Sequence, residues 1–440
     1  MALRTKARLT GGLTIALALL GACSEQGTIS SPEEVAEGET AASPAEPALP
    51  AFDPPTVFDQ ASQAMIDTPY REDSLPPLVL HGTDAIVAHS DGIAFVDALS
   101  GEESVFLTPP GAPAEGGPGP AVAHIEDPPT IVETGGATLA LVPFIVHRET
   151  TGTTAPGILL ELVAADTDTR EIVWTAQVDL AEYDPDYEMD VRVIGADATT
   201  AILAATGGSA SSDDNTQTIA VDMATRETRW RQDHFTPHLY MEGTVLGCET
   251  NPDADLDETA FSYKALNGAT GIEAWNVPDR DCGWSYAAAP GIAAVTFPET
   301  YVWFSGEVEY AESFHLLDVA SGEAIKVYEE YTAYGCLFDG EAVLVCGGWS
   351  YDTGTQVVGY DAQTGEVAWS LPDSGRIAPA VTAVWHGAVY GSTENGAVVL
   401  DAATGADIEV EPGMAPYIVN EYLGVGMTES GQVFTQPAVG

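Results

Sequence analysis

The stretch Val357-Val358-Gly359-Tyr360-Asp361-Ala362-Gln363-Thr364-Gly365-Glu366-Val367-Ala368-Trp369 decides how the chain folds. It reads as an apolar strand ending on an aspartate, a tight turn, and a second strand that carries a tryptophan. A carboxylate at the strand end accepts hydrogen bonds from backbone amides two and three residues later, and the threonine hydroxyl supports the same turn. Gly365 supplies the positive φ that the turn needs. Trp369 falls on the following strand, where its area can fill the gap between packed sheets.

The pattern is written seven times. Asp97 is followed by Ser100 and Gly101, Asp166 by Thr169, Arg170 and Trp174, and Asp222 by Thr225, Arg226 and Trp230. Asn267 leads to Thr270, Gly271 and Trp275, and Asp318 to Ser321 and Gly322. After the Asp361 copy comes Asp401 with Thr404 and Gly405. Arg170 and Arg226 stand where glycine is expected, so those two turns should be strained or differently shaped. Upstream of each turn lie two further strand-like runs, as in Tyr334–Phe338, the turn Asp339-Gly340, and Ala342–Val345. The unit is therefore a four-stranded antiparallel meander, A to D, with the aspartate at the end of strand C. Successive copies are 69, 56, 45, 51, 43 and 40 residues apart. Such units indicate an all-β fold, a β-propeller. A partial copy, Thr428–Phe434, stops before any D strand. Eight blades are expected, with seven the alternative count, the last blade closed by an N-terminal segment from Pro54 to Ala61.

The chain opens with Arg4, Lys6 and Arg8, then the apolar run Leu13–Leu20, then Leu20-Gly21-Ala22-Cys23. The run is too short for a permanent membrane helix and reads as a signal peptide over residues 1–22. Leu-Gly-Ala-Cys resembles the bacterial lipobox, which implies cleavage before Cys23 and a lipid anchor on its thiol. Ser24 after that cysteine leans toward an outer-membrane destination. Residues 24–52 hold six glutamates and four prolines and no lysine or arginine, the composition of a disordered acidic tether ahead of a propeller spanning 53–440. The expected location is extracytoplasmic, at a bacterial membrane or cell surface.

The whole chain carries 67 acidic and 14 basic side chains, a net −53. That surface excludes nucleic acid and electrostatic docking on anionic lipid. With 45% hydrophobic residues the charge must coat a real core.

Asp-x-x-Thr-Gly-x-x-x-Trp after an apolar strand resembles the PQQ-type propeller repeat of quinoprotein alcohol dehydrogenases. The plan of lipobox, tether and about eight such blades is similar to the BamB-type lipoproteins of the outer-membrane β-barrel assembly machinery. The resemblance covers roughly residues 70–440 and implies the fold; the same repeat serves enzymes and scaffolds alike. Quinoprotein dehydrogenases bring a vicinal cysteine ring, a stacking tryptophan, Ca²⁺ and a catalytic aspartate. No two cysteines are adjacent here, so a non-catalytic scaffold with no PQQ, no catalytic residue and no resident metal is expected, with a quinone-dependent or other propeller enzyme as the alternative.

Cys248, Cys282, Cys336 and Cys346 remain after Cys23 and read as two disulfides. The strand map favours Cys336–Cys346 and Cys248–Cys282 over the other pairings. Asp253, Asp255, Asp257 and Glu258 begin like a calcium loop, but Glu258 replaces the loop glycine and Lys264 the closing glutamate. His234 and His238 lie four apart in a strand connection without a third ligand. The B–C loops are long at 147–156, 207–215, 249–259, 305–313 and 347–354, and all should fall on one face. They mix carboxylates, among them Asp253, Asp255 and Asp257, with Trp349, Tyr351 and Tyr310. A cationic or mixed polar–aromatic partner, another envelope protein or peptide, is expected there, bound by a monomer.

Overall fold

Each copy of the repeat closes the outer hairpin of a four-stranded antiparallel sheet in a computed structural model of the chain. The structure describes residues 49–69, 75–111, 123–124, 127–148, 152–153, 157–180, 189–207, 216–251, 261–277, 283–302, 308–328, 332–350, 354–428 and 430–440. All belong to the unit Leu49–Gly440. Cys23, the signal segment and most of the tether lie outside them.

Eight sheets follow one another, which settles the blade count. Strands A to D of blade 1 are Leu78–His81, Asp84–His89, Gly92–Asp97 and Glu102–Leu107, and blade 2 runs Thr130–Thr134, Ala137–His147, Ile158–Asp166 and Glu171–Asp179. Blade 3 is Met189–Ala196, Thr200–Gly207, Thr216–Asp222 and Thr228–Asp233; blade 4 is Phe235–Met241, Thr244–Thr250, Phe261–Asn267 and Glu273–Val277. Blade 5 is Ser285–Ala289, Ile292–Val302, Val308–Asp318 and Ala324–Tyr328; blade 6 is Thr332–Phe338, Val343–Ser350, Gly354–Asp361 and Val367–Leu371. Blade 7 is Ala380–Trp385, Ala388–Thr393, Gly396–Asp401 and Asp407–Glu409. Blade 8 takes Ile418–Val419, Leu423–Met427 and Val433–Pro437 from the end of the chain and Ala64–Ile66 from its beginning.

That closing strand corrects one expectation. Ala64, Met65 and Ile66 pair with Thr435, Phe434 and Val433, not Pro54–Ala61. Ala64 and Ile66 are buried while Met65 is exposed, the alternation of a strand with one covered face. Residues 52–58 instead cross the rim, with the Phe52 amide on the Glu421 carbonyl at 2.8 Å and Thr56 on Gly440 at 2.7 Å.

The core is distributed between blades. In strand B of blade 1, Ala85 and Val87 pack toward blade 8 while Ile86 and Ala88 pack toward blade 2. Period-two alternation thus buries both faces of every inner strand, which explains why these strands read as unbroken apolar runs. Eight such clusters fill the eight interfaces around the ring. Blade 3 holds a surprise. Ala123–His124, from the connection between blades 1 and 2, pairs in parallel beside its strand A.

The A–B and C–D turns share one face, the turn face. In each of six blades the residue after the repeat Asp or Asn donates its amide to the A–B turn: Ala98 to Thr83, Met223 to Thr199, Gly268 to Gly243, Val319 to Gly291, Ala362 to Ala342, and Ala402 to Gly387. The B–C connections and D–A links lie at the opposite, loop face. Asp53 meets His386, in the A–B turn of blade 7, at 2.5 Å, so the chain enters the propeller on the turn face.

Candidate functional site

The repeat side chains are placed by the turns themselves. Asp361 Oδ1 accepts from the Gln363 and Thr364 amides and the Thr364 hydroxyl at 2.8–3.1 Å. Asp97, Asp166, Asp222, Asn267, Asp318 and Asp401 make corresponding bonds. In three of the turns these bonds hold the carboxylate below its ordinary range: the Thr169 amide for Asp166, the Ser321 hydroxyl for Asp318, and the Thr364 hydroxyl for Asp361. Asp222, bonded first by the Thr225 amide and then by Arg229, falls to about 2. Ionised and occupied, they are poor proton donors near neutrality.

Three of the repeat tryptophans tie their blade to the next. Trp230 Nε1 donates to the Gly268 carbonyl at 2.8 Å, Trp275 to Val319 at 2.9 Å, and Trp369 to Ala402 at 2.6 Å. Each acceptor directly follows the next blade's Asp or Asn. The same rings lie on the next blade's turn glycine: a Cβ on Gly271, Gly322 or Gly405 would come within 2.7, 2.5 and 2.6 Å of Trp230, Trp275 and Trp369. Trp174 is buried, and Arg226 lies over its ring at 5.9 Å in the place such a glycine would take. Arg170 and Arg226 keep the left-handed conformation, at φ 55° and 64°, so the turns are strained rather than reshaped. A bulge precedes the tryptophan position in strand D of all seven repeats, at Ser104, Val173, Arg229, Ala274, Ile325, Ala368 and Ile408. Nothing in the sequence pattern announces it.

The loop face differs from its expected form at two points. Of residues 305–313, the described ones, 308–313, are strand rather than loop. Strands B and C of blade 5 stay paired through Val302–Val308, and Tyr310 pairs with Thr300. Six of those pairs, from Phe297–Ser313 outward, extend beyond the last partners of strands A and D. They form a two-stranded arm of roughly 20 Å at strand rise. Likewise Trp349 lies on a strand between Thr332 and Thr355, and the ladder continues to Ser350–Gly354. Aromatic and β-branched residues favour pleated strand over loop, and pairing outcompeted the turn reading. Tyr351, Asp253, Asp255 and Asp257 lie outside the described residues.

At the root of the blade 5 arm stands Trp284, which the repeat frame passes over. Its amide donates to Thr296 Oγ1 at 3.0 Å, and the Thr296 amide returns a bond to its carbonyl at 2.9 Å. A Cβ on Gly283 would sit 1.6 Å from the Thr296 carbonyl oxygen, so only glycine allows this approach. The backbone is clamped while the residue is 72% exposed. The signal for it was a tryptophan off the eight-residue offset, two residues after Cys282.

Cys336 and Cys346 face each other across strands A and B of blade 6 and form a disulfide. Cys248 is disulfide-bonded, and Cys282 lies outside the described residues. Along the inner strands Arg192 approaches Asp190 at 3.4 Å and Asp127 at 3.8 Å. Burial raises the Asp127 carboxyl and lowers His238 to about 4, the latter helped by Arg192. His238 is therefore neutral at pH 7. Among the described residues no group of three His, Cys, Asp or Glu side chains is arranged to hold a metal.

The described basic residues are committed internally. Arg148, Arg170, Arg192, Arg229, Lys264, Lys326 and Arg376 sit in ion pairs. Arg226 covers Trp174, and Arg231 bonds the Asp179 carbonyl. Glu161 and Asp339 are buried and hydrogen-bonded internally, and the exposed charge is mostly acidic.

No protein-family model matches the chain, and no curated protein matches it. Among solved structures it resembles BamB from Moraxella catarrhalis, at 15% identity and a TM-score of 0.43 over 87% of this chain and 100% of that one. It is similar to a europium-containing methanol dehydrogenase at 10% identity and 0.42, over 86% of each chain. Sqt1 from Saccharomyces cerevisiae aligns at 10% and 0.42, over 88% of this chain and 98% of that one. These are likenesses of fold, and they carry no argument about chemistry.

Proposed function

We propose that this chain is a lipid-anchored extracytoplasmic propeller that holds another envelope protein on its loop face and performs no catalysis of its own. The observation that carries the reading is Trp284: a large aromatic held by a fixed backbone and given to solvent beside a projecting hairpin arm. Rigid exposed tryptophans are the common anchors of protein interfaces, because little entropy is lost when they dock. The occupied repeat side chains support it, since Asp and Trp are consumed by turns and blade ties. The lipobox at Cys23 supports the anchor.

The partner's contact surface is cationic or neutral, because the described bases are already paired and the exposed charge is acidic. Affinity capture from envelope extracts tests this with wild type, Trp284→Ala and Trp349→Ala/Tyr351→Ala proteins. Recovery of one partner should fall at least tenfold with Trp284→Ala. Equal recovery from wild type and all variants contradicts the reading.

A further inference from the structure

In blade 7, as in blades 5 and 6, strand C runs past the last partner of strand D. Strand D of blade 7, Asp407–Glu409, is the shortest of the seven that follow a repeat turn, and it pairs only with Val399 and Leu400 of strand C. Strand C begins at Gly396, so Gly396, Ala397 and Val398 are paired with strand B on one side and, among the described residues, with no strand on the other. In blade 1, by contrast, strand D reaches Ile93 in a strand C that starts at Gly92. In blade 2 it reaches Leu159, one residue from the start.

A cleft of about 280 Å³ opens beside this vacant lane, between strands C and D of blade 7 and the link from blade 6. Leu371, Ile377, Val398 and Val410 give it an apolar lining. Ile377 and Val410 are 45% and 62% exposed. The cation at the cleft is already neutralised: Arg376 bonds Asp373 at 2.6 Å and the Gly405 carbonyl at 2.6 Å, with Asp407 3.7 Å away. Glu394 stands on the neighbouring B–C turn, Glu409 ends strand D, and Glu411 follows it.

We infer that this lane accepts an extended segment of a partner protein in which aliphatic residues alternate with lysine or arginine. The segment's backbone continues the sheet beside Gly396–Val398 and pairs with the amide and carbonyl of Ala397, which face the lane. Its side chains alternate in direction: an aliphatic one enters the cleft, and the basic ones meet an acidic rim whose own cation is spent. Charge complementarity selects a cationic segment over an acidic one. The inference rests on the scaffold reading and adds a second contact, with a stated chemistry, away from Trp284.

The probe is a capped seven-residue peptide alternating lysine and valine, titrated by fluorescence anisotropy against the processed full chain at 0.15 M salt. The Ile377→Asp/Val410→Asp protein separates the lane from general attraction, because it adds two acids while removing apolar wall. The lane predicts at least tenfold weaker binding to that variant, and similar weakening when the peptide's inward-facing amides are N-methylated. It predicts slowed hydrogen exchange on peptide addition at the Ala397 amide, which faces the lane, and no change at Val398, whose amide faces strand B. Tighter binding to the double variant, or unchanged exchange at Ala397, overturns the inference. A Trp284→Ala protein that keeps peptide binding but loses its cellular partner separates this site from the loop face. Loss of the peptide effect with an intact Trp284 dependence sinks only the lane.

Discussion

A single methyl group reports the logic of the repeat. Gly405 has φ +67°, and a Cβ there meets Trp369 of the previous blade at 2.6 Å; Gly82 has φ +57° with nothing within 4 Å. Gly82→Ala should therefore cost only the left-handed strain, about 1 kcal/mol. Gly405→Ala adds overpacking and should cost about 2–4 kcal/mol. Urea midpoints of the two variants against wild type check the difference. Equal shifts would mean that the tryptophan does not set the glycine. The sequence showed that glycine and tryptophan recur at fixed offsets. It did not show that the glycine answers the tryptophan one blade earlier, because that partner lies some forty residues away. Arg170 makes the point by exception. The preceding blade offers Val105 instead of tryptophan, and the arginine fills the room, reaching Asp84 at 2.7 Å.

At the scale of the element, the tie from strand D to the next turn has a definite worth. Trp369→Phe removes the donor to Ala402 and leaves a buried carbonyl unpaired, an expected loss of about 1–3 kcal/mol. Trp369→Ala, which also opens a cavity, should cost about 3–5 kcal/mol. Denaturant unfolding of both variants measures the two parts. If phenylalanine is tolerated at no cost, the hydrogen bond contributes nothing beyond packing. The hairpin of blade 6 carries its own staple, Cys336–Cys346, across ten residues of sequence; a double serine variant should lose about 2–3 kcal/mol by chain entropy. Strand order and turn chemistry were legible at this scale, because period two and Asp-x-x-Thr-Gly are local signals. Strand length at the loop face was not. Tyr310 and Trp349 sit among polar residues that resemble loop composition, and only cross-strand partners decided that they are paired.

For the molecule as a whole, charge and ring closure govern behaviour. The carboxylates of Asp166, Asp222, Asp318 and Asp361 are lowered in the fold. A lowered carboxylate contributes stability that is present above its unfolded value, near 3.9, and lost as pH falls through its folded value. The urea midpoint should hold from pH 7 to about 5 and fall between about 4 and 2, most clearly in 0.5 M salt, where repulsion among the acids is screened. A midpoint unchanged from pH 5 to 2 would show that the turns do not depend on ionised aspartate. The count of eight blades was readable from seven turns and one truncated copy. The closing strand was displaced to Ala64–Ile66, since an N-terminal segment outside the repeat frame has no internal copy to align with. The partner surface was the least legible part. Trp284 belongs to no repeat, and its exposure depends on how Gly283 meets strand B.

The central claim, that the loop face around Trp284 receives a protein partner, is tested most directly by photocrosslinking in living cells. A photoreactive residue replaces Trp284 in one protein and Thr404, on the turn face, in another. The account predicts one discrete, abundant adduct from position 284 and none from position 404. Adducts absent from both positions, or formed equally at both, contradict it.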